Sequence, residues 1–325
     1  MADGGDFGAE AGAERLIGSS PVMRALRRRL ARVARSEATV LLTGESGTGK
    51  ELCAEAIHAA SPRAAGPFVP VNCGAIPAEL IEAELFGHRR GAFTGAVADR
   101  TGAAQAASGG TLFLDELCEL PLASQTRLLR FLETGAVTRL GDPTPRAADA
   151  RIVAATNRDP AAEMAAGRLR EDLYWRLHVL PVHAPPLRER GEDAVEIARA
   201  LLPRLAAEER VPVPRLGPEA EAAIRAHLWP GNVRELANAL RRAVVLGEGE
   251  AATPERLGLA ASPAPAPHNG AEGAAEALLG LPFAEIERLV ISAAIRRWGS
   301  APKAARALGL SPSTLYRKQE GWAEG

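Results

Sequence analysis

The sequence predicts an α/β domain built on a parallel sheet, followed by a small helical subdomain and a separate all-α domain. Three observations carry this. Short apolar runs alternate with helix-like stretches from Leu16 to Leu187: TVLLT at 39–43, FVPVN at 68–72, TLFLDE at 111–116 and RIVAATN at 151–157. Continuous apolar strands of this kind are buried on both faces of a parallel sheet with helices around it. From Arg188 to about Gly247 the β-branched runs vanish and alanine, leucine and charged residues dominate, as in a helical subdomain. A Pro/Ala/Gly-rich stretch, AASPAPAPHNGAEGA from Ala260, then reads as a linker before further helices.

Composition narrows the class. The chain has 325 residues, 46% apolar and 24% charged, ordinary for a globular protein with two or three domains. Its net charge of -1 names no partner, so a nucleic-acid surface would have to be local. Cys53, Cys73 and Cys118 lie too far apart for a CxxC pair and read as buried small hydrophobes in a reducing cytosol. No run approaches the ~18–20 apolar residues of a membrane span, and the acidic, glycine-rich residues 1–15 are unlike a signal peptide. A cytoplasmic protein is expected, with residues 1–15 disordered, 16–187 the α/β part, 188–250 helical, 251–276 a linker and 277–325 the last domain. There is no internal repeat.

The first strand runs into LLTGESGTGKE at 41–51, a glycine-rich turn that enters a helix near Lys50. Strand, loop and helix N-terminus in that order point successive backbone N–H groups at one spot, an anion nest. Gly44, four residues, then Gly49-Lys50 is the Walker A spacing, so Gly44, Glu45, Ser46, Gly47, Thr48, Gly49, Lys50 and Glu51 form the candidate ATP loop. Glu51 stands where Ser or Thr usually ligates magnesium. The third apolar strand delivers Asp115 and Glu116 at its carboxyl end. In a P-loop enzyme the first carboxylate holds Mg²⁺ through water and the second polarises the attacking water. The fourth ends in Thr156 and Asn157, polar groups that could reach a γ-phosphate. Strand ends that converge on one crevice are where open α/β sheets bind ligands, so an ATPase core with ATP and Mg²⁺ is expected.

ELFGHRRGAFTGAV, at 84–97, is written for neither strand nor helix interior. Glycine costs either one roughly 0.5–1 kcal/mol relative to alanine, so Gly91 and Gly95 signal a mobile or sharply bent segment around Ala92, Phe93 and Thr94. From these residues alone, a turn with Phe93 tucked into the core and a loop that offers Phe93 to a partner both stand.

The ordered set GESGTGKE, ELFGH, GAFTGA, GGTLFLDE, REDLYWRL, PPLRERGED and WPGNVREL resembles the bacterial enhancer-binding proteins, the AAA+ activators of sigma-54 RNA polymerase, over about residues 16–246. The resemblance implies an AAA+ P-loop NTPase with a helical lid, and in that family the Walker A motif does end in Lys-Glu. It also implies that the loop Gly91, Ala92, Phe93, Thr94, Gly95 and Ala96 projects from the ATPase and touches sigma-54. Asn72 would hold Glu116 until nucleotide or partner releases it. Arg170 and Arg176 would be arginine fingers that complete a neighbour's site, so a ring, a hexamer, is implied. Arg234 would be the second sensor on the lid. Two departures stand out: Arg89 and Arg90 follow His88 where the family has Glu, and Leu169 replaces a usual phenylalanine.

Toward the C-terminus, EIERLVISAAIRRW places Ile286, Leu289, Val290 and Ala293 on one helix face. SAPKAARALGLSPSTLYRKQ then reads helix, turn, helix: Ala304 and Ala305 allow close packing, Gly309 suits a left-handed cap, and Ser311-Pro312 an N-terminus. From 277 onward seven Lys or Arg face four Glu. That local basicity suits DNA, with Lys303, Ser311, Ser313, Thr314, Tyr316, Arg317 and Lys318 as candidate contacts. The segment resembles the Fis-type helix-turn-helix, with Gln319 where leucine is common; a plain oligomerisation hairpin is the alternative.

His178 and His183 lack acidic or cysteine partners at ligand spacing, and Ser46 lacks a His/Asp constellation, so neither is assigned a metal or nucleophile role. The expected function is an ATPase that binds enhancer DNA and remodels sigma-54 polymerase from closed to open complex. A repressor-like DNA-binding regulator would have a degraded loop or Walker B motif, and an unrelated AAA+ remodeller would lack the helix-turn-helix. The similarity begins near Leu16, and segments below ~40 residues rarely fold alone; no internal sensor is therefore expected, and control would come from another protein or from abundance.

Overall fold

The computed structural model describes residues 16–247, 249–259, 282–311, 313–315 and 317–318. It divides into two compact units, residues 1–260 and 261–325. Within the first unit the order is α1 (Pro21–Ala34), β1 (Val40–Thr43), α2 (Lys50–Ala59), β2 (Phe68–Asn72), α3 (Ala78–Phe86), β3 (Gly87–His88), β4 (Arg100–Thr101), α4 (Ala103–Ala106) and β5 (Thr111–Asp115). There follow α5 (Leu122–Thr134), β6 (Ala136–Val137), β7 (Arg146–Ala147), β8 (Arg151–Thr156), α6 (Pro160–Ala165), α7 (Glu171–Leu177) and β9 (Leu180–His183). The lid comprises α8 (Asp193–Glu209), α9 (Pro218–Ala226), α10 (Asn232–Gly247) and α11 (Pro254–Leu257).

Five parallel strands form the main sheet in the order β2-β5-β8-β1-β9. The apolar runs are explained by what each face meets. Leu41, Leu112, Leu114, Ile152 and Ala154 point to one core with α3, α5 and α7. Their neighbours Leu42, Phe113, Val153 and Ala155 point to the other, with Met23, Leu26 and Leu30 of α1 and Ile57 of α2. Because successive side chains alternate faces, a strand covered on both sides must be apolar throughout. The edge strand β9 was not among the expected strands; its LPVH is too short and proline-interrupted to read as one without its partner β1. Two small antiparallel pairs, β3–β4 and β6–β7, stand apart from the sheet.

Residues 251–259, expected in the linker, pack with the lid, and the rest of the expected linker lies outside the described residues. Ala252 and Leu257 are buried in the lid core with Trp229, Leu236 and Leu240, and Leu216 bridges Ala252. Burial of a leucine overrides the loop-like composition around it. All three cysteines are buried and free. Burial pushes the thiols of Cys53 and Cys73 up to about 11 and about 12, so both are inert packing groups near neutral pH. No helix among the described residues is long and apolar enough to cross a membrane.

In the second unit α12 (Phe283–Trp298) packs on α13 (Ala301–Ala307), with residues 313–315 and 317–318 also helical. The small residues serve as expected: Ala304 and Ala305 are fully buried against Ile291, Ala294 and Leu315. Gly309 has φ +68 and Ser311 Oγ accepts the Thr314 N–H. The expected apolar face of α12 is corrected. Ile291 and Ala294 are the buried positions, while Leu289 and Val290 are 48% and 41% exposed. The helix is apolar over most of its circumference, so its period does not choose a face; the position of α13 does.

Arg151, the first residue of β8, is 2% exposed. Its guanidinium donates to Val33 O (2.7 Å) and Ala34 O (2.8 Å) at the C-terminal end of α1; Val33 O also accepts the Ser36 N–H (3.1 Å). Arg151→Leu should therefore lower the unfolding free energy by about 1–3 kcal/mol, the cost of stranding the buried Ala34 carbonyl. Urea unfolding checks it, with the midpoint expected to fall and the slope to hold.

Candidate active site

A phosphate loop that keeps its N–H groups for an anion leaves its carbonyls to find donors elsewhere. Each finds one. Lys50 Nζ donates to Gly44 O (2.7 Å) and Glu45 O (2.9 Å), and Thr48 Oγ1 also donates to Glu45 O. Asn232 Nδ2 donates to Ser46 O (3.0 Å), Val233 N to Gly47 O (3.0 Å), Arg190 to Thr48 O (2.7 Å) and Cys53 N to Gly49 O (3.0 Å). Three of these donors come from the lid or its hinge. Gly47 marks the tightest approach: it has φ +77, and a Cβ there would stand 2.4 Å from Gly231 O. Only glycine serves at that position.

The side chain of Glu45 points away from the phosphate space. Its carboxylate takes a bidentate pair from Arg188 (2.6 and 2.9 Å) and a third bond from Asn232 Nδ2 (3.1 Å). Asn232, fully buried with φ +54, also accepts Leu187 N through Oδ1 (2.7 Å). Sequence reading missed this latch, because residues 45, 188 and 232 share no local pattern.

A cleft of about 300 Å³ opens on the inner side, lined by Ser46, Gly47, Gly49, Lys50, Glu51, Asp115, Glu116, Asn157 and Arg234. Arg234 donates to Ser46 Oγ (2.7 Å), which brings the expected lid arginine to the loop. Burial pushes the Lys50 ammonium down from its usual value, and Asp115 opposes this. Next to the cleft lies a mainly apolar hollow of about 260 Å³, walled by Leu16, Ile17, Leu52, Ile197, Leu201 and Val233. A flat heterocycle fits such walls. These residues are scattered along the chain and carry no sequence signal.

Other expected residues sit differently. Thr156 is buried and engaged with Cys118 Sγ (3.3 Å) and Arg158 N (3.1 Å); of the pair at the end of β8, it is Asn157 that lines the cleft. Along β8 side chains alternate, and Thr156 falls on the covered face. Asn72 does not hold Glu116. Its Oδ1 accepts Gly74 N (2.9 Å) and Ala75 N (3.1 Å), closing an Asx turn. Glu116, at φ +53, instead lays its carboxylate against Gly74, where a Cβ would stand 2.1 Å from Oε2. Arg170 pairs with Asp172 (2.7 Å) and Arg176 donates to Leu132 O (3.1 Å); neither lines the cleft of its own chain.

Residues 91–96 form a compact turn over the β3–β4 pair. Gly91 N donates to Ala96 O and Ala96 N to Phe93 O. Gly91 and Gly95 have φ +83 and +104 with open space around them, so backbone conformation, not crowding, requires glycine. Phe93 is half-buried, edge-on to His88 at 5.0 Å, and Ala96 is buried, while Thr94 and Val97 are exposed. Phe93 is thus folded onto His88, and Thr94 is the exposed side chain at the tip. Arg89 pairs with buried Asp142 (3.2 Å) and with Asp99 (3.5 Å), and Arg90 N donates to Asp99. The Thr144 N–H and side chain, with Arg89 and Arg146, hold the Asp142 carboxyl well below the usual range.

In the helix-turn-helix unit Lys303, Ser311, Ser313 and Arg317 are exposed and Thr314 is half-buried, whereas Lys318 pairs with Glu287 (2.7 Å). Tyr316 lies outside the described residues. Among the described residues no cluster of three or more His, Cys, Asp or Glu could hold a metal. A Mg²⁺ bound here would need nucleotide phosphates beside Asp115, the usual situation for that ion.

The Glu45 latch has a testable pH signature. The hydrogen bonds from Arg188, then that from Asn232, lower its pKa from 4.5 to about 2. With the folded value below the unfolded one, the carboxylate's contribution is fully present above about pH 4.5 and is lost as pH falls through about 2. The stability gap between the native chain and Glu45→Gln should be flat from pH 6 to 8 and shrink below pH 4.5, as read by urea unfolding at a series of pH values.

Comparison with known proteins agrees with this geometry. Residues 16–183 match the sigma-54 interaction domain, 188–272 the AAA+ ATPase lid domain and 282–319 the bacterial regulatory protein, Fis family. Regulatory protein LuxO of Vibrio cholerae is 50% identical over 314 residues, 95% of this chain and 69% of LuxO. Response regulator protein PilR of Pseudomonas aeruginosa is 48% identical over 306 residues, 93% of this chain and 68% of PilR. The crystal structure of NtrX from Brucella abortus in complex with ADP is 34% identical, covers 96% of this chain and 70% of NtrX, and superposes with a TM-score of 0.71. With its nucleotide loop, lid and helix-turn-helix matched in this order, the chain belongs to the sigma-54-dependent transcriptional activators, AAA+ ATPases with a Fis-type DNA-binding module.

Proposed function

We propose that the chain works in the cytoplasm as a ring, a hexamer, that hydrolyses ATP at enhancer DNA and drives sigma-54 polymerase from closed to open complex through residues 91–96. The observation that carries this reading is the cleft itself. Loop, carboxylates, Asn157 and lid arginine converge there, while Arg170 and Arg176 lie outside it on the same chain. In a ring, either arginine could enter the cleft of the next subunit and meet the charge that develops on the γ-phosphate, an effect worth ~10³–10⁵ in rate where measured.

ATP would lie with its base in the apolar hollow and its phosphates on the inward N–H groups of residues 44–49, with Lys50 moving from the loop carbonyls to the phosphate oxygens. Asp115 would hold Mg²⁺ through water; the ion, when bound, neutralises phosphate charge. Glu116 would orient the attacking water and take its proton. Thr94, exposed at the turn, and Phe93, released from His88, would form the sigma-54 contact. The exposed Lys303, Ser313 and Arg317 would face DNA.

Two outcomes test this. Thr94→Ala should hydrolyse ATP and bind DNA nearly as the native chain does, yet lose open-complex formation on a sigma-54 promoter. Normal activation by that variant would remove the loop from the mechanism. Glu116→Ala should bind ATP and hydrolyse it at least ~10²-fold more slowly, and Arg170→Ala and Arg176→Ala should also fail alone. Mixing either arginine variant with Glu116→Ala should restore some ATPase, because mixed rings contain intact shared sites; no recovery at any ratio would exclude arginines acting in trans.

A further inference from the structure

Helix α1 carries a row of arginines that no role described so far uses. Arg24, Arg28, Arg32 and Arg35 are all exposed. At 3.6 residues per turn they fall within an arc of about 80° and span about 16 Å along the axis. Several arginines elsewhere are neutralised, Arg63, Arg127, Arg188 and Arg241 each meeting a carboxylate within 3.0 Å. Others, such as Arg130, Arg210 and Arg215, are exposed without an ion pair among the described residues, but they stand singly and not in a row. The side chains of Arg28, Arg32 and Arg35 have neither ion pair nor hydrogen bond among the described residues, and the Arg24 guanidinium donates to Ser19 O. Four like charges stacked at helical spacing repel one another. The row is retained although the whole chain carries a net charge of -1.

We propose that this row is a second, sequence-independent DNA contact that grips the phosphate backbone while the Fis-type module reads the sequence. The occupant follows from charge and shape. Duplex DNA carries one negative charge per ~1.7 Å of axis, about ten over the length of the row, which a straight line of guanidiniums matches. A protein partner would need an apolar centre, and the exposed apolar side chains beside the row are only Val22 and two alanines, Ala25 and Ala31, which share a groove with Arg28, Arg29, Arg32 and Glu189. The family match for the C-terminal module brings DNA to the same chain, so the duplex is present at high local concentration. The inference rests on DNA binding by that module.

The test uses the full chain and a 40-base-pair duplex of random sequence, with affinity measured across a monovalent salt series. Arg28→Gln/Arg32→Gln/Arg35→Gln removes three charges that make no internal bond, and should reduce the slope of log K against log salt by about 2–3, at ~0.9 per phosphate contact. Basal ATPase should not change. A charge-matched control, Arg130→Gln/Arg210→Gln/Arg215→Gln, should leave the slope intact. An unchanged slope in the α1 variant overturns the proposal, as does an equal drop in the control. So does an intact slope accompanied by a loss of concentration-dependent ATPase, which would make the row a subunit contact. Arg317→Gln, measured in parallel, tests the C-terminal module separately: if it binds as the native chain does, that module's assigned contact fails while the α1 result still stands or falls by its own slope.

Discussion

The phosphate loop can bind an anion only if its outward carbonyls are satisfied from behind. A loop whose N–H groups converge on one point leaves a ring of unpaired acceptors, and a buried acceptor without a donor costs about 1–3 kcal/mol. Here the lid supplies the missing donors. Asn232, Val233 and Arg190 meet the carbonyls of Ser46, Gly47 and Thr48. Glu45 anchors the same junction by taking Arg188 and Asn232. The loop's shape and the lid's position are therefore one constraint. A rotation of the lid must break loop hydrogen bonds or carry the loop with it.

That constraint arranges the rest of the site. Asn232, at φ +54, makes three side-chain bonds to two segments, the phosphate loop and Leu187. Two residues on, Arg234 is set against Ser46. Val233 closes both the polar cleft and the apolar hollow, so the base-binding wall and the phosphate cradle share one lid helix. Occupancy of the cleft is thereby coupled to lid position by direct contact.

The turn at 91–96 is built on the opposite principle. Its base is pinned by Arg89 between Asp142 and Asp99, and Leu140 is tied to Gly87 and Arg89 through backbone bonds. Its tip has few ties. Two left-handed glycines with empty surroundings let the backbone hinge, and the Phe93 ring, half-buried, makes an edge contact with His88. Such contacts are worth about 0.5–1.5 kcal/mol, small enough for a partner or nucleotide state to exchange. The reversed charge at Arg89 is absorbed locally by two acidic partners, Asp142 and Asp99, and the Arg90 N–H adds a backbone bond to Asp99.

Four of the five main-sheet strands, the Walker loop, the carboxylate pair, the glycine-framed turn and the capped helix-turn-helix were legible in the sequence. Each is a local pattern: burial on two faces forces continuous apolar runs, an inward-facing loop needs glycines, and a helix start needs a cap such as Ser311. Local pattern could not say where a polar side chain at a strand end points. It set Thr156 and Asn157 together, and only the packing of Cys118 turned Thr156 away from the cleft. Nor could it choose the buried face of α12, whose apolar residues cover most but not all of its circumference, or extend the lid to Leu257. The latch of Glu45, Arg188 and Asn232 and the base hollow were invisible for the same reason: their residues meet only when the lid closes over the sheet, and the energy that selects them is contact between distant segments.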